Sequence, residues 1–198
     1  LTDDAGGRFT INPTTGVVTV AGALDRETHA SHNITVKATT GSGKMATKTF
    51  TINLTDVNDN GVVITDSNAA PNTVNENLAA GASVGLTVLG TDADVSATSV
   101  TYSLVDDAGG RFAIDANTGV VTTAATLDRE AAASHNITVQ ATSNDGSSNT
   151  RTFTIQVNNV NEGPFAQNSG TNLNTLQGVA VDGKVIATDP ENDPLSYS

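Results

Sequence analysis

The sequence predicts an all-β protein made of tandem sandwich repeats, one complete and two partial. A 103-residue unit recurs along the 198-residue chain, and self-similarity at a fixed period marks a repeat architecture. Inside the unit, short Val-, Ile- and Thr-rich stretches alternate with Gly, Asn and Asp clusters, and no segment keeps a helical period long enough to form a helix.

The repeat is read directly from the residues. Asp3-Asp4-Ala5-Gly6-Gly7-Arg8-Phe9 returns as Asp106-Asp107-Ala108-Gly109-Gly110-Arg111-Phe112, and Leu24-Asp25-Arg26-Glu27 returns as Leu127-Asp128-Arg129-Glu130. Ser31-His32-Asn33-Ile34-Thr35-Val36 returns as Ser134-His135-Asn136-Ile137-Thr138-Val139. Residues 1–60 laid on 104–163 without a gap share 36 identities. A more diverged copy begins near Pro164, where Thr188-Asp189-Pro190-Glu191 echoes Thr91-Asp92-Ala93-Asp94. The expected division is the C-terminal part of repeat 1 (1–60), a complete repeat 2 (61–163) and the N-terminal part of repeat 3 (164–198). The chain opens in mid-pattern, which reads as a fragment of a longer protein. Both partial repeats are expected to leave an apolar face and open strand edges exposed.

Within repeat 2, residues 83–89, 100–105, 120–123, 136–141 and 150–157 read as strands. In residues 151–157 the apolar side chains fall on every second position, as one buried sheet face requires. Asn117-Thr118-Gly119 reads as a turn, with Gly supplying a positive φ. Phe9, Phe112, Ile114 and Phe153 are expected in the core. Roughly seven short strands in about 100 residues suggest an immunoglobulin-like Greek-key β-sandwich.

Composition narrows the function. The chain carries 21 Asp+Glu against 9 Lys+Arg, a formal net charge of −12. That excess opposes nucleic-acid binding, which needs clustered Lys and Arg, and it opposes a polybasic membrane contact. With no Cys, there is neither a disulfide frame nor a zinc–thiolate site. No apolar run reaches transmembrane length, so direct membrane insertion of this segment is not expected. An acidic excess suits solubility or a hard cation such as Ca²⁺, which takes carboxylate and carbonyl oxygens.

Placement separates the two readings. Asp56-Val57-Asn58-Asp59-Asn60 follows an expected strand at residues 49–54. Asp25 and Glu27 flank Arg26 upstream, and Asp92 and Asp94 flank Ala93 downstream. Residues i and i+2 of an extended chain point to one side, so each pair can aim two carboxylates at one point. Taken singly, each motif fits a solvated loop, an Asx turn or a surface ion pair.

Taken together, Leu-Asp-Arg-Glu, Asp-Val-Asn-Asp-Asn and Asp-Ala-Asp, in this order and at this repeat length, resemble the cadherin repeat. So do Asn75-Glu76-Asn77 and Phe112-x-Ile114-Asp115-x-x-Thr118-Gly119-Val120-Val121. The third copy, with Asp189-Pro190-Glu191-Asn192-Asp193-Pro194-Leu195-Ser196-Tyr197, is similar to cadherin-like repeats of bacterial surface and repeat-in-toxin-type adhesins. The resemblance implies Ca²⁺ between successive repeats. At the first junction the implied ligands are Asp25, Glu27, Asp56, the Val57 carbonyl, Asn58, Asp59, Asn60, Asp92 and Asp94. Ser143 stands where the family has a late-loop Asp, and Asp145, two residues on, is the candidate in its place. At the second junction the implied ligands are Glu76, Asp128, Glu130, Asn161, Glu162, Asp189 and Glu191. There Asn159-Val160-Asn161-Glu162-Gly163 replaces one carboxylate by an amide, so weaker or fewer ions are expected.

The implied function is a calcium-rigidified structural and cell-adhesion segment of a large cell-surface protein, located outside the cell and not an enzyme. Its first partners would be neighbouring repeats of the same chain. Two other functions stay open: a directly adhesive module that contacts another copy or a host or cell-surface glycoprotein, and an accessory repeat beside a secreted enzyme. His32 and His135 recur in Ser-His-Asn and read as strand-start residues, since no second His or Cys recurs with them. Nothing marks the positioned base or oxyanion hole that a nucleophilic triad needs.

Overall fold

The computed structural model describes residues 1–94, 97, 99–166, 177–178 and 186–197. Among these residues every regular element is a strand. The order is β1 (Phe9–Ile11), β2 (Val18–Val20), β3 (Ser31–Thr39), β4 (Met45–Asn53), β5 (Val63–Asp66), β6 (Thr73–Asn75) and β7 (Ser83–Thr91). It continues with β8 (Val100–Asp106), β9 (Phe112–Ile114), β10 (Val120–Thr123), β11 (Ser134–Ser143), β12 (Ser148–Asn158), β13 (Phe165–Ala166) and β14 (Ala187–Thr188). Much of the third-repeat pattern lies outside the described residues.

The chain gathers into two compact units. One comprises Leu1–Val63, Gly90–Thr101 and Ala141–Asn149, and the other Ile64–Leu89, Tyr102–Gln140 and Thr150–Ser198. Two four-stranded sheets run in the orders β5-β7-β10-β9 and β6-β12-β11-β8. β6 joins β12 in parallel, with Val74 opposite Val157, while β10 lies antiparallel to β9. This is the expected all-β, immunoglobulin-like sandwich. Strands β7, β8, β11 and β12 run longer than the hydrophobic pattern predicts. Their ends are polar rungs, which pair through the backbone and leave no periodic mark in the sequence.

In the second unit, alternation sets the core. Phe153, Ile155 and Val157 of β12 are buried, while Thr152, Thr154 and Gln156 face out. Opposite them, Val84, Leu86 and Val88 of β7, with Val74 and Tyr102, complete the apolar interior. Each fully buried aliphatic side chain contributes roughly 1.5–3 kcal/mol. Ile114 is only half-buried, short of the core position expected for it. Gly119 makes the turn into β10 at φ +69°. A Cβ there would stand 2.1 Å from the Val88 carbonyl oxygen, so the backbone of β7 lies directly on this glycine.

The first unit repeats the ribbon without that cover. β3 and β4 pair over nine rungs, from Ser31↔Asn53 to Thr39↔Met45, and β1 pairs with β2. Phe9 and Ile34 are buried, yet Phe50 is 45 % exposed where its counterpart Phe153 is 7 % exposed. Gly16, the counterpart of Gly119, has nothing within 4 Å of its would-be Cβ. An open apolar face is therefore present, as the partial first repeat predicts. β4 ends at Asn53, one residue short of the expected strand, and Leu54 is bonded through its N–H to the Ala30 carbonyl.

Candidate metal centres

The first cluster lies in the first unit. Short turns aim its carboxylates. Leu24–Glu27 follows the turn after β2, residues 56–60 follow β4, and Asp92 and Asp94 leave the end of β7. Carboxylate oxygens of Glu27, Asp59 and Asp94 lie within 4.8 Å of one another, and so do those of Asp92, Asp94 and Asp145. Asp94, 2 % exposed, belongs to both triads. Its Oδ2 accepts the Asn60 backbone N–H at 3.1 Å, and its Oδ1 accepts the Asn60 side-chain amide at 2.9 Å. Asn60 also donates to Asp59 Oδ1 at 3.0 Å. The Asn58 amide donates to the Asp145 carbonyl at 3.2 Å, which ties the linker to the loop after β11.

Not every expected residue converges. The exposed Asp25 carboxylate accepts the Thr28 N–H and hydroxyl at 2.9 and 2.7 Å. Those Thr28 bonds hold it below the usual carboxylate range. Asp56 stands 3.9 Å from the Arg26 guanidinium, and the Val57 side chain is exposed. Asp145 supplies the carboxylate that Ser143 cannot. Sequence reading missed Ser147, whose hydroxyl donates to Asp92 Oδ2. That bond, followed by the backbone N–H of Asp94, holds Asp92 low against the opposing effect of burial. The Asp145-Gly146-Ser147 turn was the available signal.

The second cluster lies wholly in the second unit. Oxygens of Glu76, Glu130, Glu162 and Glu191 fall within 4.8 Å of one another. Glu76 is 1 % exposed and accepts two backbone N–H groups, from Arg129 at 2.6 Å and Val160 at 2.8 Å. The Asn77 amide donates to Glu162. Asp128 caps the Ala131 N–H at 2.9 Å, and Asp189 caps Glu191 and Asp193 at 3.1 and 3.0 Å. Asn161 is exposed and donates to the Glu162 carbonyl. These three stand beside the four glutamates without joining them.

Crowded carboxylates perturb one another. For Glu27, its own backbone N–H lowers the carboxyl, but burial and repulsion from Asp59, Asp94 and Asp56 outweigh it and push the group up. Burial, with Glu76 and Glu191 nearby, raises Glu130 against the pull of its own N–H. Proton sharing with Glu191 raises Glu162, aided by burial and opposed by the Asn77 amide. The donor set is all oxygen, with no His or Cys. Glu27 Oε1, Asp145 Oδ2, Glu162 Oε2 and Glu191 Oε2 are shielded from solvent and accept no hydrogen bond. Buried anionic oxygens without donors are costly, and a hard divalent cation is the partner they fit. Several carboxylates in tolerant geometry suit Ca²⁺ better than Mg²⁺, which demands a near-ideal octahedron.

Comparison with known proteins places this arrangement. The family model of the cadherin domain matches residues 1–55 and 71–158. The chain belongs to the cadherin domain family. It is 41 % identical over 138 residues to the mouse cadherin EGF LAG seven-pass G-type receptor 1, an alignment covering 68 % of this chain and 4 % of the relative. Mouse protocadherin Fat 4 is also 41 % identical over 138 residues, covering 68 % and 3 %. Cadherin-4 of Caenorhabditis elegans is 31 % identical over 156 residues, covering 79 % and 4 %. Mouse cadherin-23 EC22-24 superposes with a TM-score of 0.70 at 29 % identity, covering 93 % of this chain and 62 % of that one. The protocadherin gammaB4 extracellular domain gives 0.71 at 26 % identity, covering 92 % and 30 %. This cadherin segment thus spans a few hundredths of the length of those curated relatives, and it is a cell-surface, extracellular type of module. The relatives are animal cadherins, and they lend no support to the bacterial repeat-in-toxin-type parent expected from residues 189–197.

Proposed function

We propose that this chain is a calcium-rigidified spacer of a cell-adhesion protein, without catalytic activity, whose repeats divide at residues 60/61 and 163/164. The observation that carries the reading is the pair of carboxylate clusters beside residues 56–60 and 159–163, each holding shielded oxygens that lack a donor. Glu27, Asp59, Asp92, Asp94 and Asp145 would hold the cation at the first cluster, with Asp56, Asn58, Asn60 and the Val57 carbonyl within the same linker and Asp25 at its margin. Glu76, Glu130, Glu162 and Glu191 would hold it at the second, supported by Asp128, Asn161 and Asp189.

When bound, Ca²⁺ supplies positive charge that turns carboxylate repulsion into attraction. The repulsion is substantial: two unit charges 4 Å apart cost roughly 4 kcal/mol at an effective dielectric near 20. Because Glu27 and Asp59 come from the proposed first repeat and Asp92, Asp94 and Asp145 from the second, shared coordination would couple the two repeats. Extracellular sites commonly bind at about 10⁻⁴–10⁻³ M, so they fill outside a cell. The family's adhesion receptors support a role in cell adhesion, with neighbouring repeats as first partners and homophilic or glycoprotein contacts beyond them.

The test is calcium titration by calorimetry on the 198-residue chain, with small-angle scattering in calcium and in chelator. Cooperative binding with a longer, stiffer particle supports the spacer. Absent heat and an unchanged envelope would reduce the clusters to solvated surface.

A further inference from the structure

We propose that Asn33, Asn53 and Asn136 are acceptors for N-linked oligosaccharide, and that the outer faces of the β3–β4 and β11–β12 ribbons are sugar-covered rather than adhesive. The acceptor pattern is Asn-x-Ser/Thr with x other than Pro. Asn33-Ile34-Thr35, Asn53-Leu54-Thr55 and Asn136-Ile137-Thr138 meet it, whereas Asn12-Pro13-Thr14 has Pro in the forbidden place.

The fold puts all three side chains where a bulky, hydrated group can stand. Along β3, His32 and Ile34 point inward and are buried, so Asn33 between them points out and is exposed. Along β11, the fully buried Ile137 leaves the exposed Asn136 on the outer face in the same way. Asn53 is exposed and sits opposite Ser31. Because partners across a ladder share a face, Asn53 and Asn33 project from one side of the ribbon.

The hydrogen bonds are compatible with attachment. The Thr51 hydroxyl donates to Asn33 Oδ1 at 2.8 Å, and the Thr154 hydroxyl donates to Asn136 Oδ1 at 2.7 Å. Attachment uses Nδ2 and leaves Oδ1 untouched, so both cross-strand bonds survive. In the transfer, the bond between the sugar C1 and phosphate oxygen of a lipid-pyrophosphate-linked oligosaccharide breaks as the Nδ2–C1 bond forms. The lipid pyrophosphate leaves, and Nδ2 gives up one proton. In the folded ribbons the Thr35 and Thr138 hydroxyls are already paired with Thr49 and Thr152, each at 3.0 Å. Transfer therefore takes place on the chain before these strands pair.

The experiment is the intact mass of the chain secreted from cultured animal cells, before and after peptide-N-glycosidase F, with peptide mapping of the Asn-to-Asp change the enzyme leaves. The expected result is glycan at Asn33, Asn53 and Asn136 and none at Asn12. Asn33→Gln, Asn53→Gln and Asn136→Gln should each remove one step. Thr35→Ala, Thr55→Ala and Thr138→Ala should do the same while leaving the asparagines in place. A site recovered from the wild-type chain only as unmodified asparagine overturns the assignment at that site, and a secreted chain of unmodified mass overturns it altogether.

Discussion

Asn60 closes on Asp94 with both of its nitrogens, backbone N–H to Oδ2 at 3.1 Å and side-chain amide to Oδ1 at 2.9 Å. The contact spans 34 positions of sequence, and it fixes a carboxylate that two acidic triads share. A charge lost here weakens both triads at once. Asp94→Asn is expected to lower calcium affinity at the first cluster by at least about tenfold, or ~1.4 kcal/mol. Asp25→Asn should change it little, because that carboxylate caps Thr28 outside the triads. Calorimetric titration of the two variants checks the contrast, and equal losses would remove Asp94 from its central place.

The two clusters should not bind alike. Asn159 occupies the position of Asp56, and its Oδ1 lies 3.5 Å from the Arg129 guanidinium. Ligand charge count tunes calcium affinity, so the second cluster is expected to fill at higher calcium. Asn159→Asp should strengthen it, on the order of tenfold. A competition titration with a calcium indicator reads this, and two indistinguishable affinities in the unaltered chain would contradict it.

Much of the fold was legible because one face of each long strand is buried. The Phe153-x-Ile155-x-Val157 alternation appears in the structure as three buried side chains on β12. Strand ends were not legible, since polar rungs such as Thr47 opposite Lys37 pair through the backbone alone. At the site, the i, i+2 pairs were visible but their fates were not. Asp25 and Glu27 look equivalent in sequence, yet a turn hands one to Thr28 and sends the other to Asp59 and Asp94. Ser147 was missed because a serine two residues after an aspartate leaves no distinctive pattern.

The perturbed carboxyls give a pH signature. Glu27, Glu130 and Glu162 are raised above the usual glutamate value of about 4.3. Their contribution to stability is present below that value and is lost as pH rises through the raised ones. Asp25, Asp92 and Asp115 are held low, so theirs is present above about 3.9 and lost in stronger acid. In chelator, stability should peak between these limits and decline toward neutrality. In saturating calcium the cation replaces the proton, and the decline should vanish. Thermal denaturation from acid to neutral pH under both conditions checks it; matching curves would mean that calcium does not reach these glutamates.

Gly16 and Gly119 occupy the same place in the repeat, at φ +72° and +69°. Their surroundings differ: a Cβ on Gly119 meets the Val88 carbonyl oxygen at 2.1 Å and the Tyr102 ring at 3.3 Å, whereas one on Gly16 meets nothing within 4 Å. Replacing either by Ala incurs the left-handed backbone penalty, about 1–2 kcal/mol. Only Gly119→Ala must also push β7 away, adding roughly 1–3 kcal/mol of overpacking strain. Gly119→Ala should therefore be the more destabilising in denaturant titration, followed through the unit that contains each site. Equal losses would mean that β7 yields freely over Gly119, and that the close approach of Val88 does not hold the sandwich in register.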